Sequence, residues 1–392
     1  MARRPGLTDF RPLGVEWTLR DWARGHTEDD VPSIDLNPFN AWKWLIDEWT
    51  IQMEMATGRM RVPDGAFRRR LRDELSVARH LAGENGWFDD PRSYHQDPPA
   101  MGPVDIRPAT AGPYRYEHLR FDSGFEPWPE EPGRDRWLDY RPVQTGHAWM
   151  LRHTDADGEV EPGRPWIVLI NGYRTGQPMV DLGTFRAEYL HEEHGLNVAA
   201  VVLPLHGPRA IGSAGGRVLY SGVMNTVFTL AQGAWDIRRV INWIRDDQEA
   251  AKVAITGISL GGYMSGLVAG LEDGLAGIIA GVPEADLARG IRRQMDPLLP
   301  PFYEQWGLSW EPLQEVMGIV SPMSLESLVS KDRRYIYAGL LDRWVRPGNV
   351  RDLWEHWDEP EILWYQGSHL SFPFEPSVRR FVDRAITEIY AE

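Results

Sequence analysis

Residues 253–262 read VAITGISLGG, and the serine set between glycines in that stretch could act as a nucleophile. Its frame is Gly257-Ile258-Ser259-Leu260-Gly261, the pattern G-x-S-x-G. A serine hydroxyl attacks a carbonyl only when a base takes its proton and an acid orients that base. Glycines two positions on either side of Ser259 leave room for a sharp turn that strains the serine and exposes its hydroxyl. The pattern works as a nucleophile elbow only between a strand and a helix. Val253–Thr256 has the β-branched, apolar character of a buried strand. Gly262–Ala269 continues as a small-residue helix, whose N-terminus would point at the serine.

The chain order expected behind such an elbow is serine, then Asp or Glu, then His, each just beyond a strand. Arg334–Gly339 reads as a strand, and Asp342 follows it in a turn closed by Pro347. Glu361–Tyr365 reads as the next strand, and His369 is the first histidine on the loop beyond it. A helical pattern from Ser377 to Tyr390 closes the chain. Asp286 and Asp296 compete for the acid but come too soon after the elbow, and Glu361 precedes its strand. The joint placement of Ser259, Asp342 and His369 is far more specific than any one of them.

On these segments the chain resembles the α/β-hydrolase family, as a serine esterase-like member with a long N-terminal extension. The GISLGG elbow, the Gly339–Pro347 segment and the GSH segment at Gly367–His369 carry the match, over roughly the last two-thirds of the chain. The resemblance implies a mostly parallel central sheet flanked by helices, an α/β fold. It implies a Ser259–Asp342–His369 triad and an oxyanion hole. One donor would be the Leu260 N–H. The other would come from the loop after the strand Trp166–Ile170, where Tyr173 is the first choice and Gly172 the second. Many family members have His-Gly at that point, and here it is Asn171-Gly172. The chemistry implied is hydrolysis of a carboxylic ester of a small or medium apolar substrate through an acyl-enzyme. The same triad would also serve an amidase or peptidase, a thioesterase or a carbon–carbon hydrolase. A catalytically silent binding module is the reading of another class.

Two polar residues near this edge are candidates for substrate contact. Arg174, beside the oxyanion loop, could bind a carboxylate or pair with an acidic neighbour. His206, after a strand at Val198–Leu203, could touch substrate or support the oxyanion loop. His191 and His194 invite a metal reading, but they lack a third ligand. Neither metal nor organic cofactor is expected.

The 392 residues are ordinary in composition, with 42% hydrophobic and 25% charged. A net charge of −15 argues against nucleic acid as a partner. The absence of cysteine removes disulfides and thiol catalysis. No apolar run is long enough to span a bilayer and the start lacks an apolar leader, so a cytoplasmic location and no stable membrane insertion are expected. The expected partner is a small-molecule substrate, with a homodimer left open.

The elements that must position the site fall into three parts. Residues 1–112 read as a helical extension or cap, with helical patterns near 40–57 and 64–83 and a Pro/Gly/Asp-rich connection at 89–113. Residues 113–392 read as the hydrolase domain, opened by antiparallel strands at Tyr114–Phe121 and Thr145–Leu151. Residues 286–330, with Pro297, Pro300, Pro301, Pro312 and Pro322, read as a lid insertion. The chain has 18 tryptophans, with Trp17 and Trp22 among the earliest. Trp42, Leu45, Ile46 and Trp49 fall at helical spacing, and this stripe is expected to pack on the catalytic domain and partly line the pocket.

Overall fold

A computed structural model describes residues 31–35, 37–56, 64–155, 157, 160–212, 221–294, 304 and 307–391. Its centre is a nine-stranded sheet. The strands are β1 (Asp105–Ala111), β2 (Tyr114–Asp122), β3 (Thr145–Leu151), β4 (Trp166–Ile170), β5 (Asn197–Val201), β6 (Val253–Ile258), β7 (Gly277–Gly281), β8 (Arg334–Gly339) and β9 (Glu361–Tyr365). The spatial order is β1-β2-β3-β5-β4-β6-β7-β8-β9. Pairs from β1 to β5 run antiparallel, and those from β5 through β4 to β9 run parallel. The parallel strands are short apolar runs because helices cover both their faces. Strands β4 to β8 are buried along their whole length. A sheet of this kind presents its loops at the C-terminal ends of the parallel strands, where ligands of open α/β sheets bind.

The longer helices are α1 (Pro38–Ala56), α2 (Gly65–Glu84), α3 (Val223–Asp246), α4 (Leu260–Leu271), α5 (Trp310–Gly318), α6 (Pro347–His356) and α7 (Pro376–Tyr390). One core lies on the face covered by α2, α3, α4 and α6. The other lies under α7 and the short helices at 178–192. The first two turns of helix α3, Val223–Leu230, include the β-branched Val223, Thr226, Val227 and Thr229 and are buried throughout. Tertiary burial there overrides weak local propensity.

Three features of the structure correct or add to the expectations. First, the Pro/Gly-rich connection contains a strand. Asp105–Ala111 pairs with β2 through a two-residue turn at Gly112, so the sheet begins inside the segment read as an extension. Pro108 is tolerated because β1 is an edge strand. Second, the extension and the insertion share the main core. Leu71, Leu75, Ala78 and Ala82 of α2 face inward at i, i+4, i+7 and i+11 and join Val316 and Met317 of α5. Arg79 and Glu315 pair across the same contact.

Third, the tryptophan stripe of α1 faces outward. Trp42 is 59% and Trp49 64% exposed, with Phe39, Leu45 and Met53 beside them. The inward side carries Trp44 and the polar Asn40, Lys43, Asp47 and Glu54. A 3.6-residue period marks two faces but does not say which one meets the protein. Here the polar face does, because it hydrogen-bonds loops from the far end of the chain. Trp17, Trp22, Asp296, Pro297, Pro300 and Pro301 lie outside the described residues. Among the described residues no helix is long and apolar enough to cross a membrane.

Candidate active site

Ser259 joins β6 to α4 with φ 59° and ψ −115°, a backbone conformation that side chains other than glycine rarely adopt. A Cβ at Gly257 would overlap the Gly261 carbonyl, and one at Gly261 would overlap the Ile170 carbonyl. Glycine is therefore required at both places, and the second contact seats the elbow against the end of β4. The Ser259 N–H donates to the Gly281 carbonyl at 2.9 Å, and its own carbonyl accepts from the Tyr263 N–H at 3.0 Å. Strain at the serine is thus held from both flanks.

Asp342 and His369 stand on the loops after β8 and β9. His369 Nδ1 donates to Asp342 Oδ2 at 2.6 Å. The other carboxylate oxygen accepts from the Val345 N–H at 2.7 Å. Both residues are buried. The carboxylate holds the proton on Nδ1 and leaves Nε2 bare, the tautomer a general base needs. Burial pulls the His369 pKa down, but the charge and hydrogen bond of Asp342, with Asp47 and Glu284, outweigh it and the net shift is upward. Among the described residues Ser259 Oγ makes no hydrogen bond. The imidazole–carboxylate contact is closed and the serine–imidazole contact open, as is common before substrate binds.

The expected oxyanion segments meet beside the serine. Leu260 is the first residue of α4, so its N–H has no partner within the helix. The Gly172 Cα lies against the elbow, where a Cβ would be 3.8 Å from that of Ser259. Asn171 fastens this loop. Its Oδ1 accepts from the Leu203 N–H at 2.9 Å and its Nδ2 donates to the Gly172 carbonyl at 2.9 Å. Asn in place of the more usual His therefore anchors the turn through its side chain.

Of the two substrate-contact candidates, Arg174 pairs with Glu54 of α1 at 2.9 Å. His206 is fully buried, donates from Nδ1 to the Pro204 carbonyl at 2.9 Å and meets the Tyr173 ring edge-on. Burial lowers its pKa to about 4, so it is neutral. It packs against the loop that carries Tyr173. His191 and His194 are half-buried; His191 Nδ1 donates to the Leu196 carbonyl at 2.9 Å, and His194 lies 3.9 Å from Asp383.

Two acidic residues near the site carried no signal in the sequence. Asp47 of α1 reaches the loops of both Asp342 and His369. Glu284, after β7, is buried and accepts from the Asn349 amide at 3.0 Å. Burial, aided by Asp286, pushes the Glu284 pKa up to about 8. Its folded pKa exceeds its unfolded value, so the stability it contributes is full below the unfolded pKa and is lost as pH rises through about 8. The variant Glu284→Gln should therefore gain thermal stability relative to wild type between about pH 5 and about pH 9. Melting curves across that range check this, and a constant difference in melting temperature would refute it.

A mostly parallel sheet with the serine turn after a central strand defines the architecture: the chain has the α/β-hydrolase fold. The solved acetyl xylan esterase 1 from Thermoanaerobacterium sp. JW/SL YS485 shares this fold, with a TM-score of 0.54 over 84% of this chain and 99% of that one at 14% identity. The acetyl xylan esterase from Paenibacillus sp. R4 has a TM-score of 0.53 over 76% of this chain and 93% of that one at 17% identity. Within the fold, the chain belongs to the family of the uncharacterized Mycobacterium tuberculosis proteins MT2702 and Rv2627c. It is 40% identical to each over 321 residues, 81% of this chain and 75% of theirs. No protein-family model matches the chain.

Proposed function

We propose that this protein is a serine hydrolase that cleaves carboxylic esters of small or medium apolar substrates through an acyl-enzyme. The observation that supports it best is the strained Ser259 elbow in one sheet edge with the 2.6 Å Asp342–His369 pair. His369 Nε2 takes the Ser259 Oγ proton as Oγ bonds to the ester carbonyl carbon. The N–H groups of Leu260 and Tyr173, or Gly172, receive the oxyanion. Collapse breaks the bond to the leaving alcohol, which takes the proton from Nε2. Water, deprotonated by Nε2, then attacks the acyl carbon, and the proton returns to Ser259 Oγ as the acid leaves. The chain's own residues account for every proton in this sequence.

Two fold neighbours carry the name acetyl xylan esterase, which favours an ester and a short acyl group over an amide or thioester. Helix α1 lies across the loops of the site and would roof it, a geometry that suits a compact substrate. A nitrophenyl ester series from acetate to octanoate tests this reading. Activity that peaks at a short or medium acyl chain is expected. Turnover of amides or thioesters with none of esters would overturn it.

A further inference from the structure

The inward face of α1 meets the two loops of the triad at one residue. Asp47 is 0% exposed. Its Oδ2 accepts from the His369 N–H at 2.7 Å and from the Arg343 N–H at 3.1 Å, and its Oδ1 accepts from the Leu370 N–H at 3.1 Å. Arg343 adjoins Asp342, and His369 is the base itself. One carboxylate therefore holds the backbone on both sides of the Asp342–His369 hydrogen bond.

Among the described residues no cationic side chain pairs with Asp47. The Arg343 guanidinium goes to Glu48 at 3.0 Å, and Lys43, one turn earlier, goes to Glu375 at 2.5 Å and the Gln366 carbonyl at 2.9 Å. Burying an unpaired carboxylate next to a second one is costly. Packing alone would be served better by an apolar residue, so the residue type calls for another reason.

We propose that Asp47 is a positioning residue of the triad: it clamps the Asp342 loop and the His369 loop together, and so aims the imidazole at Ser259 and stabilises the imidazolium formed there. The proposal rests on the triad reading given above. Its electrostatics agree with the geometry. Burial pushes the Asp47 pKa up to about 6 and Asp342 pushes the same way, while His369 and the backbone amides oppose them. The groups facing Asp47 are Asp342 and His369, with Tyr365 within its field. Those facing His369 are Asp342, Asp47 and Glu284.

The variant D47N tests this. An amide offers one acceptor oxygen, so its NH₂ group must face one of the backbone N–H donors. We expect kcat for nitrophenyl acetate to fall about 10²-fold with KM little changed, as for a displaced base. Removing the carboxylate also removes a charge that raises the His369 pKa, together with the titration of Asp47 itself. Both changes move the acid limb of the kcat/KM profile to lower pH. A merely structural role would reduce the amount of active enzyme and leave that limb in place. An unmoved limb or an unchanged kcat overturns the proposal.

Should D47N fail to fold, Asp47→Glu keeps the charge on a longer arm. It should lower kcat without shifting the limb, and an unchanged kcat overturns the proposal equally. Labelling of wild-type Ser259 by a fluorophosphonate separates the two levels of the argument. No labelling means that the triad reading fails, whereas labelling with an unaffected D47N means that only the role of Asp47 fails.

Discussion

Ser259→Ala is expected to lower kcat by about 10⁴-fold or more while leaving the fold intact. The fold should survive because the elbow is held by backbone. The Ser259 N–H and carbonyl bonds to Gly281 and Tyr263 do not involve the side chain, and Gly257 and Gly261 provide the room for the turn. A fluorophosphonate should label the wild type at Ser259 alone, and the alanine variant should be unlabelled with an unchanged circular dichroism spectrum. Labelling that persists in the variant would place the nucleophile elsewhere.

His369→Ala and Asp342→Asn should each lower kcat by about 10³-fold or more, and the double variant should lose little further, since the residues act as a unit. Asp342 serves two donors, the Val345 N–H and His369 Nδ1–H. The amide of D342N has one oxygen and satisfies only one of them. If it keeps Val345, its NH₂ faces the imidazole and drives the proton to Nε2, the nitrogen that must be bare to accept from serine. Kinetics of the two single variants and the double variant check this. Near-normal activity in D342N would show that another acid orients the base.

The parallel half of the sheet was legible because its strands are short apolar runs between turn residues. Trp166–Ile170, Arg334–Gly339 and Glu361–Tyr365 have the bounds read from sequence. Ser259, Asp342 and His369 were singled out by what comes just after Val253–Thr256, Arg334–Gly339 and Glu361–Tyr365, a local property. What was not legible depended on distant partners. Strand β1 contains Pro108 and is half exposed, so nothing local separates it from a loop. The inward turn of α1 is decided by Arg343, Gln366 and His369, some 300 residues away, as the hydrogen bonds to Asp47 and Lys43 show. Asp47 itself looks like a solvated helix carboxylate until those partners are known.

The reach of Asp47 also bears on how this protein folds. The Asp47–His369 hydrogen bond joins residues 322 apart, and the Asp47–Arg343 bond residues 296 apart. Contacts of such separation form slowly, because a long stretch of chain must be ordered before they close. During synthesis α1 emerges early and its partners late, so the helix waits with neither face covered while the sheet assembles. Its polar face can dock only once β8 and β9 have brought their loops to the edge. Active-site assembly is then the closing event of folding, and a refolding chain should recover its sheet, read by far-ultraviolet circular dichroism, before it recovers ester turnover.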